Sequence, residues 1–324
     1  MILGITMGDS SGVGPEILLK TAASGQFGAK WAVYGDLAVL ERSKRELGFH
    51  LQIRAAKSTA DLIEGAVNVV DHQLMRESDV TPGKINALSG KAARAYVISA
   101  AKAALAGEID AMVTLPMNKE ATQLSDPTFT GHTELIGEVC GSDDVTIMLA
   151  SDQLIVTHVS THCSLLEAIA RTRAPRIQRI IQLTCDAVTK IKPGAKVAVA
   201  GLNPHAGENG LFGDEEILHI APAVKWAQAQ GYNVDGPHPP DTLFYAAVRR
   251  KKYDAIVCMY HDQGHIPSKL LDFEGGVNIA LGLPIIRTSV DHGTAFDIAW
   301  KGQASETSFV KAMEFAIRLI GIRS

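Results

Sequence analysis

Met1-Ile2-Leu3-Gly4-Ile5-Thr6-Met7, followed by Gly8-Asp9-Ser10-Ser11-Gly12-Val13-Gly14-Pro15-Glu16-Ile17, reads as a buried strand running through a glycine turn into a helix. Apolar residues dominate the first seven positions. No basic leader or small-residue cleavage pattern accompanies them, so a first core strand is expected rather than a signal peptide. Pro15 suits the first helical turn, where its missing N–H is not needed and its ring presets φ. Gly12-Val13-Gly14 begins like a dinucleotide fingerprint, but Ile17 stands where the third glycine belongs. Two readings stay open: a plain tight turn, or a turn whose backbone N–H groups hold an anion.

The same alternation continues along the chain. Trp31-Ala32-Val33-Tyr34, Ala111-Met112-Val113-Thr114, Lys196-Val197-Ala198-Val199-Ala200 and Asp254-Ala255-Ile256-Val257-Cys258 read as short strands, and Leu88 to Leu105 and Ser305 to Ile320 as amphipathic helices. Strand–helix alternation implies an α/β protein with a largely parallel sheet covered on both faces, whose ligands sit beyond the carboxyl ends of the strands. The 324 residues allow about two domains. No repeat or low-complexity linker divides them, so crossover strands must. Crossings expected near Leu124–Pro127 and Ser289–Asp291 give a first domain of residues 1–125 plus 290–324 and a second of 126–289.

Composition narrows the function. Hydrophobic residues make up 46% and charged residues 20%, an ordinary globular balance. The net charge of −4 gives no support to nucleic-acid binding. The one basic run, Arg249-Arg250-Lys251-Lys252, reads as a solvated helix end. No apolar stretch approaches the ~20 residues that span a bilayer. Cys140, Cys163, Cys185 and Cys258 are scattered without a CxxC pair, which fits a reducing, cytoplasmic setting with structural thiols. Cys163 beside His162 leaves a nucleophilic thiol open.

Several of the 11 histidines fall at the ends of different expected strands: Gly131-His132-Thr133-Glu134, Ser160-Thr161-His162, Asn203-Pro204-His205-Ala206-Gly207-Glu208 and Tyr260-His261-Asp262-Gln263-Gly264-His265. Three neutral imidazoles with an open position make a catalytic divalent-metal arrangement. His158 and His162 are spaced as H-x-x-x-H, but Val159 replaces the glutamate of a zincin, and His158 is expected to be a packing residue. Lys269, Asn278 and Arg287 lie between apolar runs near the carboxyl end, with types suited to phosphate or carboxylate.

Taken with Met7-Gly8-Asp9, Gly201-Leu202-Asn203-Pro204-His205-Ala206-Gly207-Glu208 and Asp291-His292-Gly293-Thr294-Ala295-Phe296-Asp297, these motifs cover nearly the whole chain. Jointly they resemble the 4-hydroxythreonine-4-phosphate dehydrogenase family and its close relatives. The resemblance implies two α/β/α domains of the isocitrate/isopropylmalate dehydrogenase type with a cleft between them, assembled as a homodimer with a shared active site. It implies NAD as cofactor and a divalent cation (Zn, Co, Mn, Ni or Mg) held by His162, His205 and His261, the last from the partner subunit. Substrate contacts carry over to His132, Thr133, Lys269, Asn278 and Arg287. The cofactor loop carries over to Asp291, His292, Gly293 and Thr294. Asp241 also matches a position in the cleft, and Asp241 or Lys119 is the expected general acid–base.

Two departures favour one branch of that family. Pyridoxine-biosynthetic members usually read Gly-Asp-Pro-Ala-Gly where this chain has Gly8-Asp9-Ser10-Ser11-Gly12, and carry a His where it has Asn118. The substitutions resemble the branch acting on 4-phosphorylated D-threonate or D-erythronate. The implied reaction is oxidation at C3 and loss of CO2, giving dihydroxyacetone phosphate and NADH. The alternatives are 4-hydroxy-L-threonine phosphate oxidation, oxidation of a cyclic dihydrodiol carboxylate, and a non-catalytic phospho-sugar-acid binder.

Overall fold

The computed structural model describes residues 1–25 and 30–321, which form two compact units. The first unit, Met1–Val145 with Leu283–Ser324, begins with β1 (Ile2–Thr6), α1 (Gly14–Ser24), β2 (Lys30–Gly35), α2 (Leu37–Leu47), β3 (Ile53–Ala55) and β4 (Val67–Asp71). It continues through α3 (Ala87–Leu105), β5 (Ala111–Thr114), α4 (Lys119–Gln123) and α5 (His132–Cys140). The second unit, Thr146–Gly282, contains β6 (Thr146–Ala150), β7 (Ile155–His158), α6 (Leu165–Arg171), α7 (Ala174–Ile191), β8 (Val197–Ala200) and α8 (Ala221–Ala229). It ends with β9 (Val234–His238), α9 (Pro240–Val248), β10 (Ala255–Cys258), α10 (His261–Leu271) and β11 (Val277–Leu281). The chain then returns to the first unit as β12 (Arg287–Val290) and α11 (Thr307–Ile320).

The opening stretch folds as its pattern demands. β1 is buried apart from its first residue, and Pro15 lies in the first turn of α1. A Cβ on Gly14 would overlap the Met7 carbonyl oxygen, so the turn requires glycine there. α3 begins where Asn86 caps it, its side chain accepting from the Leu88 and Ser89 N–H groups.

Strands of the first unit run in the order β3-β4-β2-β1-β5-β12, and every pair is parallel. Leu3, Ile5, Val33, Val69 and Met112 of the sheet are buried with Tyr96 and Val97 of α3 and Phe309, Met313 and Phe315 of α11. The second unit orders its strands β11-β6-β7-β10-β8-β9. There β11 and β7 both pair antiparallel with β6, and β6 and β7 are joined by a short turn closed by Ser151 N–H to Leu154 O at 3.0 Å. Its core gathers Leu149, Val156, Ala198, Leu243, Tyr253 and Ile256.

Both divisions fall elsewhere than the sequence suggests, at Val145/Thr146 and Gly282/Leu283 instead of 125/126 and 289/290. α5 packs on α3 and so stays with the first unit. β12 pairs with β5 and does the same. The basic run follows the end of α9 and is exposed. All four cysteines are free, and no helix among the described residues is long and apolar enough to cross a membrane.

Candidate functional site

In the first unit, β1 is flanked by β2 on one side and β5 on the other, so the loops beyond the two strands part at this point, where parallel sheets bind ligands. Asp9 lies in the loop after β1. Its N–H donates to Pro116 O at 2.9 Å and its Oδ1 accepts from Ser11 N–H at 2.8 Å, but Oδ2 is buried without a partner. Burial pushes the carboxyl up to about 6, against the pull of the Ser11 and Asn118 backbone N–H groups.

The native state therefore keeps a proton that the unfolded chain, with a value near 3.8, has already released. Stability associated with Asp9 is present below the unfolded value and lost as pH rises through about 6. Asp9→Asn is expected to raise stability at neutral pH by up to about 3 kcal/mol, at ~1.4 kcal/mol per pKa unit, and to change little in acid. Urea midpoints at the two pH values measure this. A variant no more stable at neutral pH would show that the ionised carboxylate is compensated.

The expected cofactor loop packs on the glycine turn. Val13 N–H donates to Thr294 O at 3.0 Å, and a Cβ on Gly12 would come within 2.9 Å of Thr294. Asp291 N–H donates to Ser308 Oγ at 3.1 Å, and Gly293 is exposed. His292 uses Nδ1 on Gly293 O at 2.9 Å, while its Nε2 is buried and unpartnered. The branch-marking residues make local contacts. Ser10 and Ser11 join Ser89 in a buried hydroxyl cluster, at 2.6 and 3.1 Å, and Asn118 Oδ1 caps α4 by accepting from Ala121 N–H at 2.8 Å. Lys119 follows it, exposed.

Arg287 and His132 form the second feature of this unit. Arg287 is only 3% exposed and donates from Nη2 to Thr114 Oγ1 at 2.8 Å, leaving Nε without a partner. Burial lowers its guanidinium to about 10, opposed by the Glu134 charge, so it stays cationic at neutral pH. His132 opens α5, with Thr133 beside it half-buried. Its Nε2 is also buried and unpartnered. Desolvation, then the Arg287 charge, hold the imidazole down at about 3, so it is neutral. A buried cation and a neutral imidazole, each with an unmet N atom, have the chemistry to meet an anionic, hydroxylated ligand. Lys269 and Asn278 belong to the second unit, half-buried on α10 and β11, with Lys269 Nζ 5.2 Å from the Phe273 ring centre.

In the second unit four histidine rings cluster where β7 ends and α10 begins. His162 lies 5.7 Å from His261 between ring centres. His261 Nδ1 is 2.7 Å from Asp262 Oδ1, and because a carboxylate oxygen accepts, Nδ1 carries the proton and the neutral ring has its lone pair on Nε2. His265 stacks on His261 at 3.7 Å with planes 8° apart, and also reaches His158. His158 is fully buried, and desolvation, then the neighbouring His265 and His261 rings, lower it to about 3.

His205 sits in the turn Pro204–Gly210, where residues 205–209 all adopt left-handed φ between 44° and 78°. Such a run is unfavourable for L-residues and persists only when its surroundings impose it. Glu216, 3% exposed, holds the backbone that leads into the turn. Its Oε1 accepts from the Leu202 and Asn203 N–H groups at 2.7 and 2.8 Å, and its Oε2 from Asn203 Nδ2 at 2.9 Å. Asp241 Oδ2 stands 3.8 Å from His205 Nδ1. Within one chain, no three His, Cys, Asp or Glu side chains among the described residues are grouped to hold an ion. The His162–His261 pair has nonetheless the donor chemistry of a borderline divalent cation.

Sequence reasoning placed His265 and Asp262 in a histidine motif without giving them a role, did not single out Glu216, and read His158 as a packing residue. The four-residue spacing of His261 and His265 on one helix was the signal available. Nothing local marks Glu216.

The chain is 44% identical over 98% of its length to D-threonate 4-phosphate dehydrogenase of Salmonella typhimurium, covering 98% of that protein. A solved 4-hydroxythreonine-4-phosphate dehydrogenase from Klebsiella pneumoniae superposes with a TM-score of 0.89 at 41% identity, covering 98% of this chain and 99% of that one. A beta-decarboxylating dehydrogenase from Thermococcus kodakarensis, 13% identical over 99% of this chain and 84% of its own, shares the fold with a TM-score of 0.51. Residues 28–316 match the family described as pyridoxal phosphate biosynthetic protein PdxA, and the chain belongs to that family.

Proposed function

We propose that this protein is an NAD-linked, metal-dependent dehydrogenase that oxidises C3 of 4-phosphorylated D-threonate or D-erythronate and releases C1 as CO2, leaving dihydroxyacetone phosphate. The observation that carries the reading is the His162–His261 pair, in which the Asp262 bond takes up the Nδ1 of the second ring and leaves its Nε2 open. The 44% identity to D-threonate 4-phosphate dehydrogenase directs the substrate choice. When bound, a divalent cation supplies Lewis acidity at the C3 oxygen and the nicotinamide accepts hydride.

The chain's own residues do the rest. His162, His205 and His261 are the ligands, and Asp291–Thr294 hold the cofactor. Arg287 binds an anionic group through its free Nε, while the neutral His132 offers Nε2 to a hydroxyl. Thr133, Lys269 and Asn278 complete the anchoring, which fixes the distance and angle for hydride transfer. Asp241 and Lys119 are the candidates to move the proton. Beside His205, Asp241 also fits a role in orienting that ring.

We assign a homodimer whose metal site is completed across chains; the resemblance implies that the partner supplies His261, whereas in this chain His261 already stands beside His162. In support, large apolar side chains lie exposed soon after each metal histidine in the chain. Leu165 and Leu166 follow His162, Leu211 and Phe212 follow His205, and Ile266, Leu270 and Phe273 follow His261. Leu270 is 84% exposed and Leu166 79%, an arrangement expected of a subunit interface.

The test is NADH formation with the phosphates of D-threonate, D-erythronate and 4-hydroxy-L-threonine, with and without a chelator. Turnover of threonate or erythronate phosphate, abolished by chelation and restored by cation, is expected. Preference for hydroxythreonine phosphate would move the chain to the other branch, and ligand binding without NADH would make it a binder.

A further inference from the structure

His261 is the first residue of α10, where helix backbone frays most readily, and Tyr260 before it makes no side-chain cap. Its Asp262 partner is 67% exposed, so that hydrogen bond competes with water and holds the ring weakly. A metal ligand needs a fixed ring plane, and these contacts alone do not supply one. A second set of contacts does. One helical turn on, His265 lies face to face with His261, rings 3.7 Å apart and nearly parallel. His265 Nδ1 is 3.1 Å from His261 O and 3.2 Å from His158 Nε2. The carbonyl oxygen only accepts, so the simplest assignment gives His265 an Nδ1 proton shared between the two.

His158 anchors this stack to the sheet. It ends β7, is fully buried, and lies so close to α10 that a Cβ on Gly264 would come within 2.5 Å of its Nε2. Its Nδ1 is buried with no partner, a penalty that a leucine of similar reach would not incur. A purely packing role gives no reason for a polar ring there.

We propose that His158 and His265 are positioning residues, a buried imidazole pair that fixes the plane of His261 for cation binding. The proposal rests on the reading of His261 as a metal ligand. Its test is zinc affinity of the full-length protein, measured by competition with a chromophoric chelator, together with the melting temperature of the metal-free protein.

His158→Leu and His265→Phe are expected to weaken zinc binding by about 10–100-fold, the range for partners that orient a ligand. The metal-free melting temperature of His158→Leu is expected to stay level or rise. His158→Gln, which keeps an acceptor toward His265, is expected to recover part of the affinity, and it stands in if the leucine variant does not fold. His261→Ala separates the two claims. Zinc affinity lost in His261→Ala but within about twofold of wild type in His158→Leu, His158→Gln and His265→Phe would overturn the positioning role and leave the ligand assignment intact. Zinc retained unchanged by His261→Ala would remove the ligand assignment itself, and the positioning role with it.

Discussion

His205→Ala is expected to lose its divalent cation and its turnover together. Orienting partners alone are worth about 10–100-fold in metal affinity or activity. Removing a ligand should therefore lower kcat by more than ~100-fold and bring metal content per chain toward zero. The fold should survive, because His205 is exposed and its ring carries little of the core. A second variant reaches the same ring indirectly. Five successive left-handed residues hold His205 in place, each non-glycine position costing about 1–2 kcal/mol in that conformation. The Glu216 carboxylate holds the preceding Leu202–Asn203 backbone with charge-assisted hydrogen bonds. Glu216→Gln would turn one accepting oxygen into an amide that faces donors. It is expected to weaken metal binding while leaving the ligand present, so that added cation restores activity to Glu216→Gln and not to His205→Ala. Metal analysis and kcat across a cation titration distinguish them. Wild-type metal content in His205→Ala would remove this histidine from the proposed site.

Arg287→Met should have opposite effects on stability and on binding. The guanidinium is buried with no carboxylate in an ion pair with it among the described residues, and it remains charged, the Glu134 charge opposing the downward pull of burial. A buried charge compensated only in part is destabilising, and an apolar side chain of similar volume is often neutral or better by about 1–4 kcal/mol. The melting temperature of the unliganded variant should therefore hold or rise, even though Thr114 Oγ1 loses a hydrogen bond. The anionic substrate, by contrast, loses the group that supplies charge and a directed N–H. KM for the phosphorylated substrate should increase by about 100-fold, since charge-assisted contacts of this type are worth about 2–3 kcal/mol. Arg287→Lys should fall between, because a lysine retains charge but not the planar fork. A variant that melts lower and keeps its KM would mean that Arg287 serves the fold alone.

How much of this was written in the chain depends on the range of the interaction concerned. The opening strand, its glycine turn and the helix begun at Pro15 follow from neighbouring residues, through burial, sterics and a preset φ. So do α3, expected from Leu88 to Leu105 and seen at Ala87–Leu105, and α11, expected from Ser305 and seen from Thr307. The family-bearing motifs were legible for the same reason, each being a short local pattern. What tertiary structure decided is which of those patterns meet. His158 and His265 are 107 positions apart, and no periodicity relates them. Glu216 holds the loop of His205 because an irregular turn brings it back, and the two units divide after α5 because that helix packs on α3. Arg287 keeps an unpartnered Nε because, among the described residues, the fold sets Thr114 Oγ1 and no carboxylate within hydrogen-bond reach of it. Local sequence determines the elements and the chemical types they carry. Long-range packing, which sums many weak contacts over the whole chain, determines the distances at which those types become a site.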